Sequence, residues 1–289
     1  MIVPNTPLTH LGDMPIATFL HDYWQQKPLL IRQAFPGFSS PLSPKELVNL
    51  ACDDIDTARL VLEKGGKSPW EVRHPPLRKK DFAKLPATHW TLLVNDVEKL
   101  LPEFTEIIEP FRFIPDWRID DLMISYAVEG GSVGPHVDAY DVFLLQAHGQ
   151  RRWQITSQAC AEDNFLPDID LRIMHEFTAE QEWVLEPGDM LYLPPDVPHY
   201  GLALGECMTY SVGFRAPSKA DLLEDLLGEL MENPAMQQRF RDPQRPLQTD
   251  PSLVTDSDLE RLTDFVLSAL PDRAAVKTWL QRHLAGVEA

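Results

Sequence analysis

At 289 residues, 44% of them hydrophobic and 24% charged, the chain has the balance of a globular protein with one large domain or two smaller ones rather than that of a disordered or membrane protein. No apolar run is long enough to cross a bilayer and the first twenty residues lack the basic start and apolar block of a signal peptide, so a cytoplasmic protein without membrane contact is expected. A net charge of −18 argues against direct nucleic-acid binding and favours a cationic partner such as a basic protein, although acidity can also serve solubility alone.

Cys52, Cys160 and Cys207 are scattered and show neither a disulfide framework nor paired metal-ligand spacing. In chain order, IATFLHDYWQQKPLLIR reads as a short amphipathic helix that stops before Pro28, followed by the strand PLLIR. Ser43 is a candidate N-cap, with Pro44 at the first helical position and Glu46 completing a capping box. Val97, Leu100, Leu101, Phe104, Ile107 and Ile108 recur at three and four residues, which predicts another amphipathic helix.

From about Ile119 to Phe214 the texture changes to short β-like segments, LMISYAV, DVFLLQA, RRWQIT, EWVLEPGDMLYLPP and TYSVGF, separated by Gly and Pro turns. Such spacing predicts an all-β barrel or sandwich, with Glu186-Pro187-Gly188-Asp189 as a type II turn between antiparallel strands. Beyond Pro217, leucine-rich faces mark a helical module in which a polar, proline-containing piece from Asn233 to Asp256 separates the first helix from the second. The expected organisation is an N-terminal region at 1–91 packing on the barrel, the barrel at 92–217, and a helical module at 218–289.

The chemistry concentrates in GPHVDAYDVFLLQAHGQRRW, residues 134–153. Successive side chains of a strand alternate faces, so His136, Asp138 and Tyr140 would share one wall. A buried carboxylate is tolerated when paired or metal-bound, and His199 in YLPPDVPHYG is the strongest candidate for a third ligand. Two histidines and a carboxylate on one side of an ion leave coordination positions open, the arrangement of non-heme Fe(II) oxygenases. Singly, a His-x-Asp triplet or a Pro-His pair is commonplace; the combination inside a strand-rich segment carries the reading. The other histidines, at 10, 21, 74, 89, 148, 175 and 283, have no partner at ligand spacing. Arg151 shares a strand face with Trp153 and could meet a dicarboxylate in the same cavity, with Arg152 facing outward; two arginines after a glycine turn are otherwise ordinary surface.

Together these residues resemble the JmjC-type 2-oxoglutarate oxygenases. PDWRIDDLMISYAVEGGSVGPHVDAYDVFLLQAHGQRRW, LEPGDMLYLPPDVPHYG and YSVGFRAPS, with FLHDYWQQKPLLIR near the N-terminus, are similar to the bacterial ribosomal oxygenases that hydroxylate an arginine of a large-subunit ribosomal protein. The resemblance implies a mainly β protein with helices, built on a double-stranded β-helix of the jelly-roll or cupin kind. It further implies Fe(II) held by His136, Asp138 and His199, the cosubstrates 2-oxoglutarate and O2, Arg151 on the distal carboxylate, and an arginine pocket of Asp121, Met123, Tyr140 and Ser211. The pocket chemistry is consistent: Asp121 can pair with a guanidinium, Tyr140 can stack on its plane, and Met123 can line its stem. The helical module of such relatives mediates homodimerisation, so a homodimer with a basic ribosomal protein substrate is expected. Relatives often continue into a C-terminal winged-helix-like domain, which this sequence does not include. Alternatives are histidine hydroxylation or lysine demethylation by the same chemistry, and a cupin-like metal-binding scaffold without redox activity.

Overall fold

The computed structural model describes residues 3–285 apart from 54, 66–68, 162, 168 and 170. The described chain divides into two units, Met1–Ala216 and Pro217–Ala289. The first contains β1 (His10–Leu11), β2 (Met14–Pro15), α1 (Ile16–Asp22), β3 (Leu29–Ile31), α2 (Pro44–Ala51), β4 (Ala58–Glu63), β5 (Trp70–Arg73), α3 (Lys79–Phe82), β6 (Trp90–Val94), α4 (Val97–Leu100), α5 (Thr105–Ile108), β7 (Ile119–Ala127), β8 (Asp141–Ile155), β9 (Gln181–Leu185), β10 (Met190–Leu193) and β11 (His199–Phe214). Apart from the small β1–β2 pair, the strands form one antiparallel system in the order β3-β10-β8-β11-β7-β6-β4-β5, with β9 also on β8. It is the double-stranded β-helix that the family resemblance implies, where strand spacing alone predicted a barrel or sandwich.

The strands alternate strictly between two environments. Leu92 and Val94 of β6, Leu122 and Ile124 of β7, Phe143 and Leu145 of β8, and Tyr210, Val212 and Phe214 of β11 enter the main core with Phe19 of α1, Leu47 of α2 and Phe111. Each such side chain, fully buried, contributes about 1.5–3 kcal/mol. The intervening residues, Thr91 and Leu93, Asp121, Met123 and Ser125, Val142 and Leu144, and Thr209, Ser211 and Gly213, line a cavity instead. A one-residue register slip would exchange core for cavity along a whole strand.

The capping box at Ser43 and the 186–189 turn form as the sequence predicts: Ser43 accepts from the Glu46 amide, and Gly188 has φ +92° with Asp189 N donating to Glu186 O. Two expectations, for the 97–111 helix and for β8, are corrected. The helix predicted across 97–111 is broken into α4, α5 and 3-10 turns, because Pro102 and Pro110 lack the amide proton that a continuous helix requires. The helix α1, Ile16–Asp22, stops before Pro28 as expected, the chain turning at Gln25 (φ 57°) before β3. DVFLLQA and RRWQIT are one continuous strand, β8, in which Gly149 (φ +59°) makes a bend rather than a turn. A Cβ at Gly149 would stand 2.0 Å from Glu206 O, so only glycine allows β8 and β11 to stay paired through the bend.

The second unit holds α6 (Lys219–Glu232), α7 (Asp256–Leu267) and α8 (Arg273–Leu284). Ser218, Thr255 and Asp272 cap them by accepting from Asp221, Asp258 and Ala275 amides respectively. Leu223, Leu227 and Met231 of α6 and Leu259, Leu262 and Val266 of α7 are exposed. Among the described residues no helix is long and apolar enough to cross a membrane.

Candidate active site

His136 and His199 reach the site together because their backbones form an isolated bridge, each amide donating to the other's carbonyl at 2.9 Å. Residues 137–140 are not strand, which corrects the expected strand wall; Asp138 is fixed by its carbonyl, which accepts from Asp196 N at 2.8 Å. His136 Nδ1 lies 2.9 Å from Gly134 O, and His199 Nδ1 lies 2.9 Å from Val197 O. A carbonyl can only accept, so both Nδ1 atoms carry a proton, which is the tautomer that turns each Nε2 toward the site as the ligand atom. Those Nε2 atoms stand 3.8 and 3.6 Å from Asp138 Oδ2, too far for hydrogen bonds, and ligand atoms of all three side chains lie within 4.8 Å of one another. Burial, then the neighbouring His136, pushes His199 down to about 4, so its lone pair stays available at neutral pH. Two imidazole Nε2 atoms and a carboxylate converging within this distance suit a divalent transition metal such as Fe(II). Gly134 (φ +80°) permits the approach, since a Cβ there would stand 2.7 Å from Ile173.

These groups open on a cavity of about 470 Å³. Arg151 lines it, is only 4% exposed, and has Nε and Nη2 without a hydrogen-bond partner among the described residues. A buried guanidinium left in that state costs free energy and fits an anionic ligand such as the distal carboxylate of a keto acid. Its Cζ lies 5.7 Å from the Trp153 ring centroid, and that ring lies 5.8 Å from His199. Arg152 points away, to Glu182 at 3.5 Å.

Asp121, Met123, Tyr140 and Ser211 also line the cavity, with Ser211 registered opposite Met123 across β11 and β7. Asp121 Oδ2 accepts from Asn95 Nδ2 at 2.8 Å and from Asp96 N at 3.4 Å. Desolvation raises the Asp121 carboxyl above its ordinary range against the lowering hydrogen bonds from Asn95 and Asp96, with the charges of Asp120 and Asp96 adding to the rise. Tyr140 is 41% exposed, and its phenol is held neutral by desolvation and then by Asp138 and Asp121.

Residues 106–222 match the family model described as the JmjC domain. The Escherichia coli (strain K12) protein named ribosomal protein uL16 3-hydroxylase is 38% identical over 267 residues, covering 92% of this chain and 70% of that one. The chain belongs to the JmjC-domain ribosomal oxygenases. A probable ribosomal oxygenase of Haemophilus influenzae is 37% identical over 274 residues, covering 92% of this chain and 67% of that protein. The structure of the E. coli ribosomal oxygenase YcfD in complex with cobalt and 2-oxoglutarate matches with TM-score 0.79 and 36% identity, over 95% of this chain and 72% of that one.

For this ribosomal oxygenase, sequence reasoning missed several cavity residues: Arg59 on β4, Thr91 on β6, Asn95 after it, Ser125 on β7 and Thr209 on β11. Ser125 and Thr209 alternate with core residues inside segments already read as strands, so period two was their available signal. Thr91 and Asn95 had none, because β6 joins the barrel through its pairing with β7. Ile169, Leu171 and Ile173 reach the cavity from the excursion between β8 and β9, where Met174 N donates to Pro135 O at 2.7 Å.

Proposed function

We propose that this chain is an Fe(II)- and 2-oxoglutarate-dependent hydroxylase of an arginine side chain in a large-subunit ribosomal protein. His136, Asp138 and His199 hold the iron, Arg151 meets the distal carboxylate of 2-oxoglutarate, and Asp121, Met123, Tyr140 and Ser211 receive the arginine. When bound, the metal and keto acid supply the oxidising chemistry, in which O2 is consumed, 2-oxoglutarate becomes succinate and CO2, and one oxygen atom is added to carbon. The chain's own residues bind, orient and exclude water.

One observation carries this reading: the cavity is unbalanced at both ends. At Arg151 a buried guanidinium has two nitrogens, Nε and Nη2, with no acceptor among the described residues, and contacts lead from it through Trp153 and His199 to Asp138. Tyr140 feels the charges of both Asp138 and Asp121, and Asp121 is a desolvated carboxylate that makes no ion pair among the described residues, although Arg59 lines the same cavity. Such a cavity is neutralised by a dianionic cosubstrate at one end and a cationic residue at the other. Asp121 favours arginine over a neutral histidine, and a net charge of −18 suits a basic ribosomal protein. The E. coli relative's name, a uL16 hydroxylase, supports the substrate class.

The reading places the catalytic barrel at 92–217, supported by 1–91, in a cytoplasmic homodimer formed through 218–289. The exposed apolar rows of α6 and α7 support that last assignment. The test is incubation with Fe(II), 2-oxoglutarate and an arginine-containing ribosomal peptide, in air and without it, followed by mass mapping. One added oxygen at arginine and equimolar succinate, in air only, are expected. Oxygen gained anaerobically, gain at histidine, or metal binding with no succinate would overturn it, the last in favour of a scaffold.

A further inference from the structure

The Asp121 carboxylate is held asymmetrically. Oδ2 accepts from Asn95 Nδ2 and from the Asp96 amide, which occupies its two lone pairs, while Oδ1 accepts from no described residue. Two features aim both donors at one oxygen. Asn95 directly follows β6 and is tied by its amide to Thr57 O at 2.9 Å; Asp96 then adopts φ 56°, turning its own amide toward β7. The same turn is clamped once more where Glu98 Oε2 accepts from Leu122 N at 3.0 Å. Asn95 must present its amide nitrogen, since its oxygen against a carboxylate would be repelled. On the other side of Asp121, a Cβ at Gly213 would stand 3.3 Å from Oδ1, so the glycine leaves the free oxygen accessible from the cavity that both residues line.

We propose that Asn95 is a positioning residue for substrate selection: by committing Oδ2 to the protein, it leaves Oδ1 as the single acceptor that meets the substrate guanidinium. The inference rests on the arginine reading above and adds a geometric consequence. Asp121 engages the guanidinium end-on through one oxygen, rather than side-on through both. Without Asn95 the carboxylate turns about its last bond, and the cavity loses its preference for a directed cationic donor over a neutral one.

The experiment compares wild type, Asn95→Ala, Asp121→Ala and the double variant, using a peptide that wild type hydroxylates and its citrulline counterpart, in which the guanidinium is replaced by a neutral urea. A charge-assisted hydrogen bond lost from a desolvated site corresponds to a rise of roughly 10- to 100-fold in KM for the arginine peptide. Expected for Asn95→Ala are that rise, a smaller change in kcat, and a collapse of the arginine-to-citrulline preference. Peptide affinity of the manganese-loaded protein, in which no turnover occurs, should weaken in parallel. Because Asn95 acts through Asp121, adding Asn95→Ala to Asp121→Ala should change little further. Gly213→Ala, which crowds Oδ1 from the opposite side, should raise KM in the same way and decides the matter if Asn95→Ala does not fold. Additive effects in the double variant, or an unchanged preference in Asn95→Ala and Gly213→Ala, would overturn the inference. Failure of wild type to hydroxylate any arginine peptide would instead overturn the reading beneath it.

Discussion

Replacing Arg151 by methionine should move two quantities in opposite directions. In the ligand-free protein, two nitrogens of a guanidinium 4% exposed have no acceptor among the described residues. Each buried unpaired donor costs about 1–3 kcal/mol, and water able to enter a cavity of about 470 Å³ moves the sum toward the low end. A methionine keeps the apolar stem over Trp153 and removes the charge. The ligand-free fold should therefore gain about 1 kcal/mol, a rise of roughly 2–4 °C in Tm for a unit of this size. For 2-oxoglutarate the same change removes one partner of a buried, hydrogen-bonded charge pair. That costs about 2–5 kcal/mol, or roughly 30- to several-thousand-fold in Kd. Calorimetric melting of the metal-free protein and anaerobic titration of 2-oxoglutarate into the manganese-loaded protein measure the two separately. An Arg151→Met protein that melts lower than wild type and still binds 2-oxoglutarate within about threefold would refute the reasoning, since Arg151 would then be structural.

His199 is held down to about 4 in the folded chain against about 6.5 when unfolded, so between these values the unfolded state binds the extra proton. Metal-free protein should accordingly lose stability as pH falls from about 6.5 to about 4, by up to roughly 3 kcal/mol, and melting of a His199→Asn variant over that range should show a flatter profile. Asp189 accepts from Gln33 N, Glu186 N and Arg32, which together outweigh burial and hold its carboxyl below the ordinary range. Asp189→Ala should cost roughly 2–3 kcal/mol in urea unfolding at neutral pH, a difference that shrinks as acid protonates the wild-type carboxylate. Gly201→Ala would place a Cβ 2.7 Å from the Trp153 ring, so a destabilisation of about 1–3 kcal/mol is expected, together with weaker 2-oxoglutarate binding as Arg151 loses its support.

Much of this architecture was legible because β-strands write their two faces into alternate residues. LMISYAV and TYSVGF were legible as strands, and Arg151 and Trp153 could be assigned a common face before any coordinates, although the cavity positions Ser125 and Thr209 inside those strands were not singled out. What period two could not show was anything decided between distant segments. His136 and Asp138 were grouped by strand alternation, whereas their placement comes from a backbone bridge to His199 and from Asp196, 58 positions after Asp138. The 97–111 segment has a helical apolar period, yet Pro102 and Pro110 set its real course. Asn95 carried no local signal at all, since its meaning depends on β6 lying beside β7.

The mutual bridge between residues 136 and 199 has an effect on ion choice. Because the two peptide units are locked to each other and each ring's Nδ1 is tied to a carbonyl, the imidazoles are held close to their spacing before any ion arrives. Such a jaw does not stretch to follow a larger guest. Cations near the radius of ferrous iron, cobalt and manganese among them, should seat without rearrangement, whereas calcium, which prefers oxygen donors and longer bonds, would have to tear open the frame that holds both rings.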